Sequence, residues 1–195
     1  MVALMGCGRS VDKILRPLST TRHQYYLGTG LHTLGLLGWI LGQTGPADVY
    51  VSTFSTSDAF LSGFLRLKKK GLIRHAILVA DLKASRKTVQ LCQLMQSCFD
   101  TVCLSMNHSK VVLVQNDHHM VTSISSQNQT YGDRAECTMV TTSKEAFLTY
   151  YNGLQEVSLY KSIILDELFG RITQQNRNKS IGTNEPHGNS IPGGG

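Results

Sequence analysis

The chain has 195 residues, 41% of them hydrophobic, which is enough for one globular core and short for two. Only 16% of its residues are charged and the net charge is +6, a composition that excludes collagen, a coiled coil or a wholly disordered chain. No run of about 18 apolar residues is present, which excludes a membrane-spanning helix of the usual kind.

The first residues, MVALMGCGRSVDK, lack a basic region followed by an apolar stretch, so no secretory signal is expected. The five cysteines (Cys7, Cys92, Cys98, Cys103, Cys137) form no CxxC pair. Cys92, Cys98 and Cys103 sit among apolar residues and read as buried free thiols, consistent with a reduced, cytoplasmic setting. Residues 1–23 read as an extension carrying one short helix, Ser10 to Leu15. Gly28 to Gln43 is a Leu-rich core helix with Leu31, Leu34, Leu37 and Leu41 on one stripe. Ala47 to Phe54 alternates as a strand. Asp58 to Lys70 follows as a helix, with Ser57 as N-cap and Gly71 past its end. Ile73 to Ala80 is a buried strand, and Ser85 to Phe99 an amphipathic helix.

Four short strands are expected next: Thr101 to Ser105, Lys110 to Gln115, His119 to Ser125, and Glu136 to Thr141. Asn116 to His119 (NDHH) makes a hairpin turn, and its adjacent histidines, His118 and His119, read as exposed turn residues rather than metal ligands. Thr142-x-x-Glu145 reads as a capping box opening a helix through Tyr151, and Glu156 to Thr173 as a last helix. Residues 174–195 are Gly-, Asn- and Pro-rich and read as a disordered tail, leaving residues 24–173 as the domain. The order implies an α/β fold: a mixed sheet of about six strands flanked by helices. No internal repeat is present.

Charge is concentrated. Arg66, Lys68, Lys69, Lys70, Arg74, Lys83, Arg86 and Lys87 are opposed only by Asp81, a local excess that surpasses the net charge of the whole chain. Such a patch is the expected footprint of a polyanion, most often nucleic acid, although lysines at a helix end also complement its dipole.

The familiar phosphate-loop, dinucleotide, nucleophile-elbow and HExxH motifs are all missing. What stands out is Met106 to Cys137. His108 and Lys110 are two apart, so an extended chain points both to one side of the sheet. Lys110 opens a buried strand, where an unpaired charge is costly. Ser126 and Asn128 repeat the spacing one hairpin later, and Glu136 starts the next strand. Three neighbouring strands thus bring a nucleophile or acid, a cation, neutral hydrogen-bonding groups and a carboxylate toward one sheet end, which are the parts phosphoryl chemistry needs.

At these residues the chain resembles the phospholipase D superfamily, whose signature is HxK, then an Asp, a GSxN-like turn and a downstream Glu. HSK at His108 to Lys110, SSQN at Ser125 to Asn128, and Glu136 carry the resemblance, which is greatest to short, single-motif bacterial and phage proteins whose better-known relatives are nucleases. Two positions depart from the pattern: Gln115 stands where the family has Asp, and Ser125 where it has Gly. The resemblance implies a metal-independent phosphodiesterase without a cofactor. His108 would attack phosphorus, Lys110, Ser126 and Asn128 would hold the phosphate oxygens, and Glu136 would bond the far nitrogen of the imidazole. It also implies a homodimer, because the mechanism uses two HxK motifs and this chain has one. Nucleic acid is the substrate that the basic patch favours. The alternatives are a non-catalytic nucleic-acid-binding or interaction module, favoured by Gln115, and a phospholipid phosphodiesterase, which would call for an exposed apolar rim.

Overall fold

In the computed structural model, residues 11–82, 85–130 and 134–168 are described, without the side chains of 85–90. Contacts divide the chain into Met1–Leu165 and Asp166–Gly195, and the first unit holds every named element. Lys83 and the tail 174–195 lie outside the described residues.

The elements are a 3-10 turn (Val11–Lys13), β1 (His23–Gly28), α1 (Thr33–Thr44), β2 (Ala47–Thr53), α2 (Asp58–Lys69), β3 (Ile73–Asp81), α3 (Ser85–Cys98), β4 (Thr101–Ser105), β5 (Val111–Gln115), β6 (Met120–Ser125), β7 (Glu136–Thr141), α4 (Lys144–Tyr160) and β8 (Ser162–Ile164). The strands form one mixed sheet in the order β1-β7-β6-β5-β2-β3-β4-β8. β2, β3 and β4 run parallel, as the β-α-β-α-β order requires, and the other pairings are antiparallel.

Local chemistry explains most boundaries. Ser57 caps α2 by accepting from the Phe60 N–H at 3.2 Å. Gly71, at φ +72, turns the chain after α2 in the left-handed region that side chains disfavour. Asn116 builds the β5–β6 turn: its side-chain oxygen accepts from the His118 and His119 N–H groups, at 3.0 and 2.9 Å. Both histidines are exposed.

Among the described residues the sheet has eight strands rather than six, and both extra ones lie at its edges. β1 occupies residues expected at the junction of extension and helix; α1 begins only at Thr33. The 3-10 turn and the residues after it are integral to the body, with Val11, Leu15 and Leu18 buried. At the other edge, the two expected helices are one. α4 runs unbroken through Gly153 to Tyr160, and Ser162–Ile164 then pairs with β4 where a helix to Thr173 was expected. A glycine inside a helix costs about 1 kcal/mol relative to alanine, and here the packed side chains of Phe147, Tyr151 and Leu154 carry the helix through it. The cap of α4 also sits one residue later than Thr142: Ser143 accepts from the Ala146 N–H.

Two cores result. Val111, Leu113 and Phe147 join α4 to one face of the sheet, with Tyr50 and Tyr151 in edge-to-face contact at 5.0 Å. Leu36, Leu37, Ile40 and Leu41 of α1 and Phe60, Leu61, Phe64 and Leu67 of α2 are buried. Cys92, Cys98 and Cys103 are buried, and burial raises the Cys98 thiol pKa to about 11.

Candidate active site

The strand directions decide where the polar residues meet. β2 and β3 end at Thr53 and Asp81, and β5 starts beside the end of β2, with Ser52 opposite Val111. β6 returns antiparallel, so Ser125 lies beside Lys110 and donates its N–H to the Lys110 carbonyl at 3.0 Å. β7 begins next to the end of β6, with Ser125 opposite Thr138. His108, Lys110, Ser126, Asn128 and Glu136 therefore all lie at one end of the sheet.

His108 and Lys110 lie in the short connection from β4 to β5 rather than within a strand. His108 is exposed, and its ring leans on Phe54 with centroids 4.9 Å apart. Lys110 Nζ donates to the His108 carbonyl at 2.8 Å and lies 3.3 Å from His108 Nδ1. It also sits 5.9 Å over the Phe54 ring. Partial burial lowers the Lys110 ammonium below the ordinary lysine range, and the Glu136 carboxylate opposes that shift.

Glu136 accepts a hydrogen bond from Ser126 Oγ, which in turn accepts from the Cys137 N–H at 3.1 Å. The structure thus pairs Glu136 with Ser126, and its charge with Lys110, rather than with the imidazole of His108. The loop carrying Asn128 is pinned through its neighbours. Gln129 N–H donates to the Ser55 carbonyl at 3.2 Å, and Ser57 Oγ donates to the Gln129 carbonyl at 3.0 Å. Asn128 Oδ1 is buried without a hydrogen-bond partner.

Several residues at this end carried no motif signal. Gln127, between Ser126 and Asn128, accepts from the Thr33 N–H at the start of α1 and lies 3.3 Å from His32 Nδ1. Asn107 and Asp81 lie beneath His108, 9% and 5% exposed. A polar residue abutting HxK and an Asp closing an apolar strand were the only available hints. Among the described residues, no cluster of three or more His, Cys, Asp or Glu could hold a metal ion.

The basic cluster divides across the sheet. Arg66, Lys68, Lys69, Lys70 and Arg74 lie around the end of α2 and the start of β3, the sheet end away from His108. Asp81 is seven residues beyond Arg74 along β3, about 23 Å of extended chain. Lys68 pairs with Asp100 at 2.9 Å, and Arg74 with Asp48 at 3.3 Å. Arg86 and Lys87 lie in the first turn of α3, which follows the site end of β3. Gln115 is at the far end of β5, opposite Asp48, so that departure falls away from the polar cluster. Exposed apolar side chains are present near the site end: Met106 at 80%, two residues before His108, and Leu27 at 78% on β1.

No family model matches the chain, and no curated protein matches it. Solved structures do. A phospholipase D family member, Nuc from Salmonella typhimurium, is 15% identical over 73% of this chain and 97% of its own, with a TM-score of 0.55. NucT from Helicobacter pylori is 15% identical over 72% of this chain and 98% of its own, at a TM-score of 0.54. Polyphosphate kinase from Porphyromonas gingivalis matches with 26% of its length, at 14% identity and a TM-score of 0.50. At such identities the likeness is one of fold, and for the first two it extends over nearly the whole of the solved chain.

Proposed function

We propose that this chain, which has the fold of the phospholipase D superfamily, is a metal-independent phosphodiesterase that acts on nucleic acid through a phosphohistidine intermediate. The observation that carries this reading is the meeting of His108, Lys110, Ser126, Asn128 and Glu136 at one sheet end.

His108 is exposed and held by packing against Phe54, as a nucleophile awaiting substrate should be. Its free ring nitrogen attacks phosphorus. The N–P bond forms as the P–O bond to the leaving group breaks, and a second imidazole gives that oxygen a proton. Water then attacks phosphorus, the N–P bond breaks to free His108 and a phosphomonoester, and the same second imidazole accepts the water's proton. Lys110 and the Asn128 amide offset charge on the pentavalent centre. Glu136 keeps Lys110 charged and fixes Ser126. When substrate draws Lys110 away from His108 Nδ1, the carboxylate becomes the available acceptor for an Nδ1 proton.

The second imidazole comes from a second copy of the chain. Only His108 among the histidines has a Lys two positions on, and the chain has no internal repeat. A two-fold axis near His108 would complete one shared cleft, and closed two-fold dimers are the commonest oligomers. Phospholipid is the second reading, favoured by the exposed Met106 beside His108.

Incubation of purified protein with single- and double-stranded DNA and RNA in EDTA tests the proposal. EDTA-resistant cleavage is expected. Salt-sensitive binding without cleavage would mark a non-catalytic module, and cleavage of a phospholipid alone would transfer the chemistry to the second reading.

A further inference from the structure

The HxK segment is not part of any strand, yet both its functional side chains must be held to within a fraction of an ångström for catalysis. Beneath it lies Asn107, whose side chain satisfies every hydrogen-bonding position it has. Its Nδ2 donates to Ser52 Oγ at 2.8 Å, to the Val79 carbonyl at 3.0 Å and, more weakly, to the Thr53 carbonyl at 3.4 Å. Its Oδ1 accepts from Ser109 N–H at 3.0 Å and Ser109 Oγ at 2.7 Å. Ser109 Oγ also bonds Ser52 Oγ. The backbone N–H of Asn107 donates to Asp81 Oδ2 at 2.9 Å.

These bonds run from the site into the sheet. The residue between His108 and Lys110 is tied to Asn107, and Asn107 to the ends of β2 and β3. A buried amide with all its positions filled has one orientation, because rotating it would leave donors facing donors. The turn that Asn107 makes with Ser109 then sends His108 and Lys110 outward together, which is the pose in which Lys110 Nζ reaches His108.

We propose that Asn107 is a positioning residue for the HxK pair, with Asp81 and Ser52 as its anchors and Ser109 as the link to the reacting side chains. This rests on His108 and Lys110 being the reacting groups. It assigns the rigidity of the site to the ends of β2 and β3, away from Gln115. Asn107 touches no substrate; it acts through His108 and Lys110.

The test compares Asn107→Ala, Ser109→Ala and Asp81→Asn with the full wild-type chain. Melting and circular dichroism first identify the folded variants. With a phosphodiester substrate, Asn107→Ala should lower kcat by about 100-fold, the loss expected for misplacement by an ångström, while KM changes less than threefold. Ser109→Ala, which keeps the Asn107 bonds to the sheet, should give a smaller loss of the same kind. Asp81→Asn retains a side-chain oxygen for the Asn107 N–H and should keep most of kcat. The second readout needs no activity: the ring resonances of His108 followed through a pH titration by NMR. Both Asn107→Ala and Ser109→Ala should shift and broaden them, and the other histidines should stay unmoved. If Asn107→Ala does not fold, Ser109→Ala decides alone. Unchanged His108 resonances and titration in the folded variants would overturn the positioning role. Unmoved turnover after His108→Ala would instead overturn the assignment of His108 as the reacting group while leaving the NMR result intact.

Discussion

Lys110 is the residue whose chemistry is most exposed to test. Burial favours its neutral form and Glu136 favours its charged form, with burial the larger effect. Its ammonium therefore loses its proton at a lower pH than an ordinary lysine near 10.4. A phosphate clamp made of that charge weakens as pH rises through the lowered value. The alkaline limb of kcat/KM should accordingly begin early, and Lys110→Arg should carry it upward while keeping measurable activity. Glu136→Gln removes the charge that sustains the ammonium and should move the limb further down. A limb that ignores both substitutions would place the titrating group elsewhere. That His108, Lys110, Ser126, Asn128 and Glu136 share one sheet end was legible because hairpin spacing returns successive strands to the same end, although His108 and Lys110 lie in a connection rather than on a strand. Their partners were not. The Ser126–Glu136 bond and the Asn107 network depend on side-chain directions in loops, where neither period applies.

At the scale of elements, α2 and β3 are coupled through Asp100, the residue before β4. Its carboxylate accepts from Lys68 Nζ and from the Ala76 N–H at 2.7 Å. Burial raises its pKa, but those bonds and charges outweigh it, so the carboxyl sits below its usual value. A depressed carboxylate contributes stability that is present above the unfolded value near 3.9 and is lost as pH falls through the folded value. Acid unfolding should thus be less steep for Asp100→Asn than for wild type, and a superimposable acid limb would contradict the coupling. The α4 core offers a larger effect: Phe147 and Leu113 are fully buried, and Leu113→Ala should cost about 2–5 kcal/mol in chemical denaturation. Central strands and α2 were readable from burial patterns and caps. The edges were not, because β1 and β8 are set by pairing. Ile163 and Ile164 are exposed, yet they pair with β4.

For the whole molecule, the ~23 Å from Arg74 to Asp81 along β3 sets a length that a nucleic-acid ligand must span to touch both His108 and the Lys68–Lys70 cluster, about seven base pairs at 3.4 Å each. Neutralising Lys68, Lys69 and Lys70 should therefore flatten the salt dependence by up to about 3 units on a log–log plot for a duplex of twenty base pairs. It should leave a four-base-pair duplex unaffected. Equal slopes on the long duplex would make the cluster a solvated helix end, its Lys68 already committed to Asp100. The dimer is tested at the same scale: activity that persists at concentrations where light scattering shows only monomer would exclude a site built from two HxK motifs.

The most direct measurement is a search for a covalent adduct on His108. Protein quenched during turnover of a labelled phosphodiester in EDTA, digested and read by mass spectrometry should carry the phosphorus, with its remaining ester group attached, on the peptide containing His108, in an acid-labile N–P bond. The adduct should be absent from His108→Ala, which should also lack turnover. Turnover by His108→Ala at the wild-type rate, with no adduct on the wild-type peptide, would contradict the account.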